Sequence, residues 1–149
     1  ALKDDKKSRR QEPIRFGPLA EEIAERFRYQ RDDVEITIAG DEVVLTGDRE
    51  QLEILLDNLV QNAIRYASDR VSITALERDK NIILSVYNNG ENIADHERRH
   101  LFTPFQKGSK GQFGLGLAIV KQIAELHDGD VTVTNEKDGV TFTVIFPNV

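Results

Sequence analysis

Between Pro18 and Gln30 the chain reads PLAEEIAERFRYQ, with Leu19, Ile23 and Phe27 every fourth residue and Ala20 and Ala24 one position on. That spacing predicts one helix with a single buried stripe, and Pro18 suits its start. The period then drops to two. Val34, Ile36 and Ile38 alternate with Glu35 and Thr37, a half-exposed strand, and Gly40-Asp41 turns the chain into a second one at Glu42–Thr46. Asp48 is the N-cap of a long helix, with Glu50 and Gln51 in its first turn, running to about Ala67. VSITALE and NIILSVYN predict two strands meeting around Arg78–Asn81. A loop-rich stretch from Asn88 to Phe113 holds one short helix near Asp95–Leu101. A further helix begins at Gly114, with Leu115, Ile119, Ile123 and Leu126 as its stripe. DVTVTNE and VTFTVIFP close the chain as strands, the second alternating strictly through Val140, Phe142, Val144 and Phe146. Helices and strands with short connections imply an α+β two-layer sandwich: one mixed, mostly antiparallel sheet with helices on one face. Residues 1–13 have no useful periodicity and read as a linker, leaving 14–149 as one domain.

Two features do not serve this pattern. On the helix DREQLEILLDNLVQNAIRYA, Asn58, Asn62, Arg65 and Asp69 stand at i, i+4, i+7 and i+11, a polar stripe beside the apolar face. Asparagine in a helix interior competes for backbone hydrogen bonds, so two of them are locally unfavourable. They read either as a solvated flank or as an oxygen-rich ledge for Mg²⁺ and the phosphates it carries. The second feature is GQFGLGLAIVK, with Gly111, Gly114 and Gly116 crowding the start of a well-patterned helix. Each glycine inside a helix costs about 0.5–1 kcal/mol relative to alanine. A helix N-terminus offers unpaired N–H groups and a positive dipole end, and bare glycine lets an anion reach them. The order is not G-x-G-x-x-G, and TPFQKGSKGQ ahead of it reads as no strand, so neither a Rossmann nor a Walker-type loop is indicated.

Composition narrows the classes. The chain has 149 residues, 39% hydrophobic, enough for one domain with a proper core. A net charge of −6 argues against a nucleic-acid partner. The absence of cysteine excludes disulfides and thiolate metal sites. No apolar run approaches a membrane span. The opening ALKDDKKSRR, with five Lys/Arg against two Asp, reads as a solvated tail or linker, as in a piece of a longer protein.

Four segments in order resemble the ATP-binding catalytic domain of sensor histidine kinases, of the Bergerat-fold ATPase superfamily. LLDNLVQNAIRYA is similar to its N box, VYNNGENI to the G1 box, LFTPF to the F box and GQFGLGLAIVK to the G2 box. The resemblance spans roughly residues 14–149 and implies ATP and Mg²⁺ as cofactors. It places the magnesium-ligating asparagine at Asn62, a phosphate-contacting cation at Arg65 and an aromatic beside the adenine at Tyr66. It puts the adenine-recognising position at Asn88, with Gly90 giving backbone room and Ile93 joining the nucleotide-binding residues. Gly114 and Gly116 match the phosphate-binding glycines, Leu115 and Leu117 supplying backbone N–H groups. Lys107 matches a lid cation near the γ-phosphate, and Phe102 and Phe105 either anchor the lid's base or are ordinary core residues.

The sequence also departs from that pattern. Asn88 replaces an aspartate and Asn92 a glycine; Gln112 and Phe113 replace small residues, and the lid is short. An aspartate only accepts hydrogen bonds, whereas an asparagine also donates, so adenine preference is less strictly encoded. Related hydrolases and serine kinases have a glutamate general base four residues before the magnesium asparagine; here Asn58 stands there, and an amide takes no proton. A histidine acceptor needs no such base, because neutral imidazole offers a lone pair near pH 7. Asn58, Arg65 and Lys107 are therefore the residues on which a histidine-kinase reaction turns, by positioning and charge neutralisation. His96, His100 and His127 read as surface or capping residues. The phosphoacceptor is expected on a separate N-terminal dimeric helical domain, and the further partner is a response regulator. The resemblance implies a cytoplasmic domain of a membrane-anchored bacterial sensor. A nucleotide-binding pseudokinase and an ATP hydrolase are the other readings.

Overall fold

Residues 11–104, 106–108, 111–114 and 116–148 are described by a computed structural model. The elements in order are β1 (Glu12–Arg15), α1 (Phe16–Arg28), β2 (Glu35–Ala39), β3 (Val44–Gly47), α2 (Arg49–Tyr66), β4 (Arg70–Arg78) and β5 (Asn81–Asn89). Then come α3 (Asp95–Arg98), β6 (Gln106–Gly108), β7 (Gly111–Gly114), α4 (Gly116–Leu126), β8 (Asp130–Glu136) and β9 (Gly139–Pro147). Five strands form one sheet in the order β2-β4-β5-β9-β8, parallel only between β2 and β4. This is the expected two-layer α+β sandwich. The apolar stripes of α1, α2 and α4 pack on one sheet face, where Ile73, Val86, Phe142 and Val133 make one cross-strand row.

That face is apolar through its middle and turns polar toward one end, where the row reads Val71, Asn88, Val140, Asn135. The polar end marks where the helices and sheet stop closing over one another.

Four expectations are corrected. Glu12–Arg15 is a strand rather than linker: Ile14 pairs with Leu45, both buried, so β3 finds its partner in β1. The Gly40-Asp41 turn consequently makes no β2–β3 hairpin, and β2 pairs with β4 instead. Helix α1 starts at Phe16, whose N–H donates to the Val43 carbonyl, so Pro18 falls within the first turn. Finally, a strand does run into the glycines. Strand β7 ends at Gly114, but its partner is β6, antiparallel and outside the main sheet, so a Rossmann or Walker arrangement fails on topology instead.

Helix α2 is capped as predicted, the Asp48 carboxylate accepting from the Gln51 N–H at 3.0 Å. His127, after α4, is a capping residue but not a surface one. It is 3% exposed, its Nδ1 lies 2.9 Å from the Ile123 carbonyl, and its Nε2 accepts from the Asp48 N–H at 3.1 Å. Only Nδ1 can donate to a carbonyl, so this is the neutral ring with its proton on Nδ1. One side chain thereby joins the end of α4 to the start of α2. On the other flank of α4, Lys121 bonds Asp130 at 3.0 Å, a contact that holds the Asp130 carboxyl below the usual carboxylate range and raises the Lys121 amine.

Removing the imidazole leaves the Asp48 N–H and the Ile123 carbonyl without this partner. His127→Ala should lower the unfolding free energy by about 1–3 kcal/mol, measured by denaturant titration. A change below a few tenths would show that the link is dispensable.

Candidate functional site

Helix α2 is the spine to which the other site segments attach. Asn58 donates from Nδ2 to the Ile54 carbonyl, one turn back, at 2.8 Å. A methyl group on Gly116 would sit 2.9 Å from Asn58 Oδ1. The first residue of α4 therefore sits against the Asn58 side-chain amide, which a larger residue would have to displace. Leu117 follows and is 1% exposed, so its side chain belongs to the core and only its backbone is available to a ligand. Leu115 and Phe105 lie outside the described residues. Gly114 ends β7, and the backbone of Lys107 belongs to β6.

One turn beyond Asn58, Asn62 is half-buried, and its amide makes no side-chain hydrogen bond among the described residues. Arg65 is exposed in the last turn, and Tyr66 ends the helix with its hydroxyl buried. The expected stripe stops there. Asp69 lies past the helix end and is held by Asn89, whose Nδ2 donates to Asp69 Oδ1 at 2.6 Å. Asn89 Oδ1 accepts the N–H groups of Asp69 (3.0 Å) and Arg70 (2.9 Å), and its carbonyl accepts from Ser68 N–H at 3.0 Å.

Asn89 was not among the sequence candidates, although it is the second asparagine of the NNG run. It fastens the end of β5 to the end of α2. Arg31 was missed as well. Its guanidinium donates to the carbonyls of Ile64 (3.0 Å), Ala67 (2.9 Å) and Ser68 (3.2 Å), capping α2 from a loop that carries no recognisable signal.

Asn88 is 2% exposed at the polar end of the sheet. Its Nδ2 donates to the Asn89 carbonyl at 3.1 Å, which fixes the amide's orientation because a carbonyl only accepts. Gly90 has φ +129°, and a side chain there would strike the Tyr66 carbonyl at 2.9 Å, so glycine is required on both counts. Ile93 packs partly buried against the core. Phe102 meets Phe142 edge-on at 6.2 Å, a core contact. His96, within α3, and His100, just after it, are both exposed.

Asn58, Asn62, Arg65, Tyr66, Asn88, Gly90, Gly116 and Leu117 thus all belong to α2 or to segments fastened to it. Among the described residues no group of three His, Asp or Glu could hold a metal. A cation here would find the free Asn62 amide oxygen and would need its remaining ligands from water and phosphate. That is how Mg²⁺ binds with nucleotides, so the donor set fits magnesium carried by a polyphosphate.

Comparison with known proteins agrees with this geometry. The family model described as histidine kinase-, DNA gyrase B- and HSP90-like ATPase matches residues 47–149. The sensor histidine kinase CssS of Bacillus subtilis is 39% identical over 131 residues, covering 87% of this chain and 29% of that protein. The chain therefore spans under a third of the length of this relative. The catalytic domain of the histidine kinase ThkA, in a nucleotide-free form, superposes with a TM-score of 0.84 at 25% identity, over 93% of this chain and 96% of that one. ThkA in complex with the response regulator TrrA matches at TM-score 0.81 and 22% identity, over 95% of this chain and 42% of that one, which supports the fold.

The contact between Gly116 and Asn58 makes a direct prediction. Gly116→Ala should destabilise the domain, and Asn58→Ala should absorb part of that loss by removing the struck oxygen. A double-mutant cycle of thermal unfolding should give a coupling of about 0.5–3 kcal/mol. Simple additivity would mean that the Gly116–Asn58 contact contributes no measurable stability.

Proposed function

Since the chain belongs to the histidine kinase-, DNA gyrase B- and HSP90-like ATPase family, we propose that it is the ATP-binding catalytic domain of a two-component sensor histidine kinase. The observation that carries this choice within the family is Asn58. Its amide has no basic lone pair, its Nδ2 is bonded to Ile54, and its oxygen abuts Gly116. No carboxylate stands there to deprotonate water or a serine hydroxyl, so acceptors that need a base are disfavoured. A neutral imidazole is not.

In this reading Asn88 offers an oxygen to the adenine amino group, because its NH₂ already faces the Asn89 carbonyl. The ambiguity of an asparagine at this position is thereby reduced: the amide acts as an acceptor, as an aspartate would. Tyr66 and Ile93 flank the base. The free N–H groups at the start of α4, with Arg65 and Lys107, oppose the phosphate charge. Asn62 holds Mg²⁺, which neutralises and orients the phosphate oxygens when bound. An imidazole nitrogen of the acceptor attacks the γ-phosphorus; the bond to the bridging oxygen breaks, and that electron pair leaves with ADP. The phosphorylated imidazolium then loses its other ring proton to solvent; the chain's own contribution is placement and charge, with none of its groups acting as base.

The acceptor histidine belongs to a separate dimeric helical domain of the same sensor. His127 serves as a buried cap, and His96 in α3 and His100 just after it are exposed. A response regulator receives the phosphoryl group next. No helix among the described residues is long and apolar enough to cross a membrane. The domain is placed on the cytoplasmic side of an anchored sensor, the arrangement expected of a signalling kinase, with no nucleic-acid partner.

Asn62→Ala should abolish the Mg²⁺ dependence of ATP binding while circular dichroism stays unchanged; a magnesium titration with undiminished affinity would falsify that role. The unsubstituted domain should prefer ADP to GDP, and Asn88→Asp should leave the preference within a few-fold, measured by competition binding. Offered a separate histidine-bearing helical hairpin, the domain should label it with an acid-labile, base-stable phosphate. Fast ATP turnover without any acceptor would instead make it a hydrolase.

A further inference from the structure

Outside the residues assigned above, one cluster of side chains reads the backbone of the candidate site itself. Asn135 lies on edge strand β8, in the same cross-strand row as Asn88. Its Oδ1 accepts the Ile93 N–H at 2.9 Å, and its Nδ2 donates to the Ile93 carbonyl at 2.9 Å. One amide thus imitates the edge of a neighbouring strand. Asn92 reaches back the other way, its Nδ2 donating to the carbonyls of Glu136 (2.9 Å) and Gly139 (2.8 Å), the residues that close the β8–β9 turn. Gly90 N–H adds a bond to the Asp138 carbonyl at 2.9 Å. Gly139 leaves no room for a side chain, since a Cβ would lie 2.3 Å from the Asn88 carbonyl oxygen.

We propose that Asn92 and Asn135 are positioning residues for the base-binding segment Asn88–Ile93, which makes the β8–β9 turn a working part of the nucleotide site. This rests on the nucleotide reading given above. Residues 91–94 belong to no helix or strand, so no ladder fixes Ile93 in place. Without side-chain bonds the segment would lose conformational freedom only when the base arrives, which weakens binding. The five bonds order it beforehand. Asn92 stands where the family pattern has glycine, and glycine has no side chain with which to make its two. Neither amide is placed at the base or the phosphates; each acts through backbone of the segment.

The test uses the full chain and two ligands, ADP and inorganic tripolyphosphate, by calorimetry, with hydrogen exchange of the Ile93 amide. Asn135→Ala and, independently, Asn92→Gly should weaken ADP roughly tenfold and leave tripolyphosphate within about twofold, because only ADP carries a base. The Ile93 amide should exchange faster in Asn135→Ala. Unchanged ADP affinity in both variants overturns the proposal and leaves the nucleotide reading standing. Equal losses for both ligands also overturn it, since that is the mark of general loosening. Failure of the unsubstituted chain to bind ADP removes the nucleotide reading and the proposal together. Asn92 is exposed, so its variant keeps the test open if Asn135→Ala does not fold.

Discussion

Everything in the site depends on how closely other backbones can approach helix α2. The helix buries Leu52, Leu55, Leu56, Leu59, Val60, Ala63 and Ile64 against the core, so its place is set by packing. Its polar edge is then a fixed ledge. Gly90 brings its loop to that ledge at a distance no side chain allows, against the Tyr66 carbonyl, and Gly116 sets the start of α4 beside the Asn58 amide. The start of α4 and the Gly90 loop are positioned relative to each other in part because both touch the same rigid rod. Rigid placement of this kind suits a reaction whose catalysis is mostly orientation and charge.

This constraint changes the meaning of the G2 glycines. Read from sequence, they suggest backbone laid bare for an anion. In the structure Gly116 also lies in contact with a protein group, the Asn58 amide. The two functions share one atom's worth of space. An alanine there would disturb the helix pair before it met any ligand.

The strong periodicities were legible: α1, α2, α4 and the strands of the main sheet fall where apolar spacing puts them, because burial on one face dictates that spacing. The pairing of β1 with β3 was not, since a four-residue strand with one buried isoleucine leaves no period to detect. For the proposed site, Asn62, Arg65 and Asn88 could be put forward from resemblance and side-chain type. Their supports could not. Arg31 and Asn135 act on backbone carbonyls and N–H groups 33 or more residues away, as the bonds from Arg31 to Ile64 and from Ile93 to Asn135 show. Such bonds are invisible until the chain is folded, because any exposed arginine or asparagine could make them.

The choice of amides over carboxylates at this end of the sheet has a physical reason. Asn58, Asn88, Asn89, Asn92 and Asn135 each use their side chain to hold backbone or a neighbouring side chain, whereas Asn62 makes no side-chain bond among the described residues. A carboxylate could accept some of these bonds, but it would bring a negative charge beside a polyphosphate. Two like charges 4 Å apart repel by about 4 kcal/mol at an effective dielectric constant of 20. In a chain of net charge −6, building the scaffold from neutral amides keeps the site from inheriting the acidity of the whole. It also lets each amide donate and accept at once, which is what Asn135 does at Ile93 and no carboxylate could. The amide at Asn58 follows the same logic. A scaffold that must not repel phosphate is also one that carries no general base, so the electrostatics that admit the nucleotide and the chemistry that spares it from water come from the same substitution.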